Sequence, residues 1–176
     1  FGVNMRGDQP DAFDRADVMI REGVRVASFA QAPSAPLIQK LKGAGLVVMP
    51  TVGAKRHAEK VAEIGVDALI AQGGEGGGHT GVVPTTLLAP QVVDAVGAEI
   101  PVLVAGGMHD GRGLVAALAW GADGIAMGTR FLLTQDVEPV LVTRSRLGRA
   151  AVGACLQLVD VPADLRQHVV SRLRRH

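Results

Sequence analysis

The sequence predicts an α/β protein in which parallel strands alternate with helices, and three observations carry that expectation. Short apolar runs and helical runs alternate six times between Phe1 and Phe131, at spacings of roughly 20 to 35 residues, the signature of βα units. Aromatic residues make up 3% of the chain and Tyr is absent, so the interior must be Val, Leu, Ile and Ala, the residues of strands buried on both faces. Glycine-rich stretches repeatedly follow a strand, at the end where parallel α/β proteins bind ligands.

The elements follow in order. Phe1 to Met5 reads as the first strand. Asp8 and Pro10 precede a helix with Phe13, Ala16 and Ile20 inward, closed by Gly23. Val24 to Phe29 is the second strand. Pro33 and Pro36 mark the next helix start, Leu37, Ile38 and Leu41 supply its buried stripe, and Gly43 and Gly45 end it. Leu46 to Met49 is the third strand, stopped by Pro50. Ala54 to Ile64 is a helix with Ala58, Val61 and Ala62 inward and Gly65 as its cap.

Val66 to Ala71 is the fourth strand. Pro84 to Val96 reads as a helix around Leu87, Leu88, Val92, Val93 and Val96, divided at Pro90. Pro101 to Ala105 is the fifth strand, and Gly106-Gly107 lead to a helix capped by Asp110, with Leu114, Ala117 and Leu118 on its apolar face and Gly121 after it. Gly124 to Met127 is the sixth strand. Beyond Leu133 the alternation fades into an arginine-rich segment, read as solvated helix surface, with Leu165, Val169 and Leu173 marking a final amphipathic helix. This divides the chain into βα units over residues 1–133 and a helical segment over 134–176.

Bulk composition narrows the function. A net charge of +1 gives no reason to expect nucleic acid, and no apolar run reaches the roughly 20 residues of a membrane span. No secretory signal is evident, and the single Cys155 fits a reducing cytoplasm. No Walker loop, metal-ligand spacing or Gly-x-Ser-x-Gly elbow is present, so no metal is expected.

The chemistry concentrates in Ile70-Ala71-Gln72-Gly73-Gly74-Glu75-Gly76-Gly77-Gly78-His79-Thr80-Gly81. Six of these twelve residues are glycine, and the ionisable side chains are Glu75 and His79. Glycines let backbone approach a flat or phosphorylated ligand, and His79 sets a group titrating near neutrality beside it. Gly106-Gly107 and Gly128-Thr129 end the next two strands, where backbone N–H groups suit a phosphate. Arg130 either adds charge there or joins a surface ion pair.

These runs resemble the nitronate monooxygenase (2-nitropropane dioxygenase) family. The segments that carry the resemblance are Ala71 to Gly81, Ile100 to Gly107 with Asp110-Gly111-Arg112-Gly113, and Leu118 through Gly121-Ala122-Asp123-Gly124 to Met127-Gly128-Thr129-Arg130-Phe131. The opening Phe1-Gly2-Val3-Asn4 is similar to the family's third-strand motif, so the match covers residues 1 to about 133 in the family's order.

The resemblance implies a TIM-type (β/α)8 barrel, incomplete as supplied, with about six βα units present and the first two missing. It implies non-covalent FMN. It places His79 at the family's catalytic histidine and Asn4 and Gln72 near the flavin ring. Gly106, Gly107, Gly128 and Thr129 match the phosphate-binding residues, and Gly73, Gly78, Ala105 and Met127 complete the expected cofactor-binding set.

The leading expectation is oxidation of alkyl nitronates with O2, His79 acting as base. The alternative is an NAD(P)H-dependent flavin reductase of enoyl thioesters or quinones, and a second alternative is a truncated, non-catalytic binding protein. A homodimer is among the assemblies these readings allow. The sequence departs from the family pattern where many members carry a lysine after the fifth barrel strand; Thr51 stands near that place. Glu75 resembles the enoyl-reductase branch, and the segment 135–141 is compressed.

Overall fold

The computed structural model describes residues 1–78 and 80–132, and over them six strands lie side by side in chain order. The elements are β1 (Gly2–Met5), α1 (Ala12–Arg21), β2 (Val26–Phe29), α2 (Ala35–Gly43), β3 (Val47–Val52), α3 (Lys55–Ile64), β4 (Leu69–Gln72), α4 (Thr85–Val96), β5 (Val102–Ala105), α5 (Gly111–Ala119), β6 (Gly124–Ile125) and α6 (Thr129–Leu132). Every neighbouring pair of strands is parallel. Parallel neighbours need crossover helices, and right-handed crossovers in sequential order put every helix on one face. That is the arrangement of a TIM-type barrel, here a six-strand arc of it.

The side-chain period of two sorts the core. Leu69, Ala71 and Val102 face the helices and join Leu37, Ile38, Leu41, Ala58, Val61, Leu88 and Val92 in one buried cluster. Ile70, Leu103 and Ala105 point the other way and meet Met49, Ala68 and Ala126. The register aligns these residues across strands, with Thr51 opposite Ile70, Ile70 opposite Leu103, and Gln72 opposite Ala105. Each fully buried Leu or Ile contributes about 1.5–3 kcal/mol relative to exposure.

The turns at the far end of the strands repeat one device. Gly65 ends α3 at φ +89° and Gly121 follows α5 at φ +84°, a backbone state that favours glycine. Two residues on, Asp67 accepts from the Val48 amide at 2.8 Å and Asp123 accepts from the Val102 amide at 2.9 Å. Each carboxylate thus ties a turn to the neighbouring strand. Lys42 adds an ion pair to Asp67 at 2.8 Å and a bond to the Gly65 carbonyl.

Several sequence expectations shift. Pro50 does not stop β3: it pairs in register with Phe29, and the strand runs on to Val52. The ladder to β2 ends at Pro50 and the ladder to β4 begins at Thr51, so the missing N–H falls at the handover. Pro90 does not divide α4, which is continuous. The carbonyl its ring leaves unbonded within the helix belongs to Thr86, which is exposed to solvent.

In α1 the buried stripe is Ala12, Ala16 and Met19. Phe13 is 43% exposed, its ring 5.8 Å from the Lys40 ammonium. Ala16 is common to both stripes, while Ala12 and Met19 take the fully buried places expected of Phe13 and Ile20. Ile20 stays partly buried against the core. The smaller residues let the helix lie close to the sheet. Leu87 is exposed in the same way, while Leu114 and Leu118 are half-buried. β4 starts at Leu69 rather than Val66: the Val66 amide bonds back to Val61 in the turn after α3, and the ladder to β5 begins at Leu69. The arginine-rich segment and its final helix lie outside the described residues.

Candidate functional site

A cleft of about 440 Å³ opens at the carboxyl ends of β4, β5 and β6. Ile70, Ala105, Ala126 and Met127 give it an apolar base, and Thr51 enters from β3. Three loops wall it: Gln72 with Glu75 to Gly77, Gly106 to His109, and Gly128 to Arg130.

The loops are held by a threonine that sequence reasoning missed. Thr85 is the first residue of α4 and is 2% exposed. Pro84 before it makes no side-chain cap, so the helix's first N–H must find an acceptor elsewhere. Glu75 supplies it from ten residues upstream. The Thr85 amide donates to Glu75 Oε2 at 2.9 Å and Oε1 at 3.1 Å, and the Thr85 hydroxyl lies 2.7 Å from Oε2. The same hydroxyl oxygen is 3.1 Å from the Gly106 carbonyl oxygen. One side chain therefore joins the β4 loop, the β5 loop and α4.

That junction explains two glycines. A Cβ at Gly73 would stand 1.9 Å from Thr85 Oγ1 and 2.5 Å from its Cα. A Cβ at Gly106, where φ is +100°, would stand 2.7 Å from the same hydroxyl. A third close approach joins the β3 and β4 loops: a Cβ at Gly81 would meet the Gly53 carbonyl oxygen at 2.6 Å. Gln72 steadies the glycine run by donating to the Gly77 carbonyl at 3.0 Å.

Of the expected site residues, Gln72, Ala105, Gly106, Gly107, Met127, Gly128 and Thr129 all line this cleft. Gly73 sits behind it, packed on Thr85. Gly78, at φ +81°, and Asn4 are not part of its lining. Asn4 lies in β1 and donates to Ser28 Oγ at 2.9 Å. His79 lies outside the described residues. Glu75, Met108, His109 and Thr51 join the lining without having been assigned a place there. His109 was findable, as it follows Gly106-Gly107-Met108 directly; Thr85 left no signal, being one threonine at a helix start.

The electrostatics are uneven. Hydrogen bonds from the Thr85 hydroxyl and from backbone amides hold the Glu75 carboxyl below its ordinary range. Its charge is directed at the start of α4, where the helix dipole favours an anion. At the next loop Arg112 clamps Asp110 at 2.6 Å and holds it down to about 2, while Asp110 also accepts the Arg112 amide as the helix cap. Arg130 is exposed at the mouth.

A flavin mononucleotide needs a flat apolar bed and donors for a phosphate. The cleft has Ile70, Ala105 and Met127 for the first. For the second, Gly106 and Gly107 turn consecutively through φ +100° and +70°, and nothing lies within 4 Å of where a Gly128 Cβ would stand. Among the described residues the Gly107 and Gly128 amides have no protein partner. The residues present fit the group.

Among the described residues no cluster of side chains could hold a metal ion, and no helix is long and apolar enough to cross a membrane. The family model for nitronate monooxygenase matches residues 2–159. The (3aS,4S,5R,7aS)-5-hydroxy-7a-methyl-1-oxo-octahydro-1H-indene-4-carboxyl-CoA dehydrogenase of Mycobacterium tuberculosis is 67% identical over 137 residues, 77% of this chain and 39% of that protein. A probable nitronate monooxygenase of Staphylococcus aureus is 40% identical over 131 residues, 68% of this chain and 36% of that protein. The structure of FabK from Thermotoga maritima superposes with a TM-score of 0.76 at 40% identity, covering 86% of this chain and 48% of that one. The chain thus spans less than half the length of these relatives. Fold, cleft and likeness agree, and the chain belongs to the nitronate monooxygenase family of FMN-dependent oxidoreductases.

Proposed function

We propose that this protein is an FMN-dependent dehydrogenase of a coenzyme A thioester whose acyl part is a ring system bearing a hydroxyl group. The observation that carries this reading is the 67% identity to the indene-carboxyl-CoA dehydrogenase, far above the 40% shared with a probable nitronate monooxygenase. In this reading Gly106, Gly107, Gly128 and Thr129 hold the FMN phosphate through backbone N–H groups, and Gln72, Ala105 and Met127 border the ring. Bound FMN supplies the two-electron acceptor. His79 takes the hydroxyl proton as the alcohol becomes a ketone, a role it inherits from the family resemblance. Asn4, Gly73 and Gly78, expected in the cofactor-binding set, do not line the described cleft.

Nitronate oxidation with O2 is the second reading, favoured by the family model and by the Staphylococcus aureus relative. There His79 would take the α-proton of a neutral nitroalkane or hold the nitronate. The two readings separate in an anaerobic cuvette. The FMN-loaded full-length protein should bleach at its visible flavin band with the hydroxy-indane carboxyl-CoA and stay oxidised with alkyl nitronate. Bleaching by nitronate alone would overturn the first reading. His79→Ala should lower the thioester rate by about 10²–10⁴-fold.

A further inference from the structure

A second cleft, of about 480 Å³, lies beside the first at the ends of β2, β3 and β4. Thr51 and Gln72 line both, so these two residues stand between the hollows. The floor of the second is apolar, with Val52 and Val61 buried beneath it. Its rim is basic: His57 and Lys60, three apart on α3, are exposed on the same helix face. Among the described residues no Asp or Glu lines it, in contrast to the first cleft with Glu75.

The charge on this rim is placed against local preference. The first turn of α3 carries Lys55, Arg56 and His57, no acidic residue and no side-chain cap. Helix starts favour anions, because their free N–H groups and macrodipole are positive. Lys55 is 3.6 Å from Glu59, but Lys60 has no carboxylate partner among the described residues. At the same rim His57 Nε2 accepts from Arg56 Nε at 3.4 Å, which leaves Lys60 as the cation without a carboxylate. A hollow with an apolar floor that ends at such a lysine suits a chain with a phosphate at its far end.

We infer that this second cleft holds the phosphopantetheine arm of the substrate, with its phosphate at Lys60 and His57. The inference rests on the thioester reading above. The arm's methylene groups lie over Val52 and Val61, and its amides meet Gln31 and Thr80. The thioester then passes Thr51 and Gln72 into the flavin cleft. No bond is made or broken in this step; it positions the acyl group. Coenzyme A and a carrier protein both present this arm, and the geometry selects the arm rather than its bearer.

The test uses FMN-loaded full-length protein and its Lys60→Glu and His57→Glu variants. Free coenzyme A is the calorimetric probe. Its binding should weaken about tenfold in Lys60→Glu. The KM advantage of the CoA thioester over the phosphate-free N-acetylcysteamine thioester should shrink by a similar factor. Equal coenzyme A affinity in the wild type and both variants would overturn the site. So would an equal loss on both thioesters, which would mark a merely structural effect.

The two readings fail separately. Thioester turnover by the wild type, with KM unmoved in the variants, removes the arm site and leaves the dehydrogenase. Coenzyme A binding that is lost in Lys60→Glu, without turnover of any thioester, keeps the site and removes the dehydrogenase. Faster turnover of a carrier-borne thioester than of the CoA ester, both slowed in Lys60→Glu, supports the site and assigns the arm to a carrier.

Discussion

On the helix-facing side of the sheet, side chains fill the space; at the strand ends, missing side chains make it. Leu41, Leu69, Leu88 and Val102 are enclosed among other aliphatic residues, each at most 1% exposed. At the other place Gly73 and Gly106 surround Thr85 so closely that a single added carbon would overlap it, and Gly81 lies equally close to Gly53. The first region depends on volume, so many aliphatic sequences could satisfy it. The second depends on a few contacts among backbone, one hydroxyl and one carboxylate, so its tolerance is low. A site that must accept a flat cofactor gains from walls made of backbone, because such walls have no rotamers to order.

The sharpest way to break this comparison is to make one change in each region. Leu41→Ala, in α2 and far from both clefts, should cost about 3 kcal/mol of unfolding free energy by leaving a cavity, with FMN affinity retained below the unfolding transition. Gly73→Ala adds one methyl where Thr85 atoms would stand at 1.9 to 2.5 Å, including backbone that cannot yield like a side-chain tip. It should cost about 2–3 kcal/mol and also weaken FMN binding at least tenfold, since the β4 and β5 loops move with Thr85. Chemical denaturation and flavin titration check both. Equal FMN affinity in the two variants would end the distinction.

Thr85 sharpens the comparison at a smaller scale. Thr85→Val keeps the shape but deletes the hydroxyl 2.7 Å from Glu75, at an expected cost of about 1–2 kcal/mol. Thr85→Ser restores the hydroxyl and should recover most of the stability and the flavin affinity. If Ser behaves as Val does, the methyl rather than the hydroxyl organises the loops.

This contrast also explains what the sequence disclosed. Apolar periodicity marked all six strands and five connecting helices, because burial on a fixed geometric period leaves a pattern in one dimension. The loops after β4, β5 and β6 were marked by glycine, so much of the cleft lining was legible: Gln72, the Ala105-Gly106-Gly107 run, and Met127-Gly128-Thr129. Orientation was less legible. Phe13 and Ala12 fit the same helical spacing, and only packing against the sheet chose Ala12. Pro50 and Pro90 were read as breaks because the cost of a missing N–H is local, whereas its remedy depends on the neighbouring strand or on solvent. Thr85 was invisible for a similar reason: its partners are ten and twenty-one residues away.

Glu75 carries the smallest expected effect and the one with a pH signature. Its carboxyl accepts the Thr85 hydroxyl and amide, and those bonds favour the ionised form, so the folded protein holds its pKa below the value of the unfolded chain. Between the two values the unfolded state binds more protons, and stability therefore rises with pH across that window. The contribution is complete above the ordinary glutamate range and is lost as the pH falls through the folded-state value. Glu75→Gln keeps an acceptor for Thr85 but removes the charge. Because Glu75 is exposed, the loss at neutral pH should be below about 1 kcal/mol. The decisive measurement is the difference in unfolding free energy between wild type and Glu75→Gln against pH. That difference should be flat near neutrality and shrink as acid protonates the native carboxyl. A difference that stays constant down to pH values where the wild-type carboxyl is protonated would mean that the side chain acts through shape. The capping charge would then contribute nothing to how the strand-end loops are held.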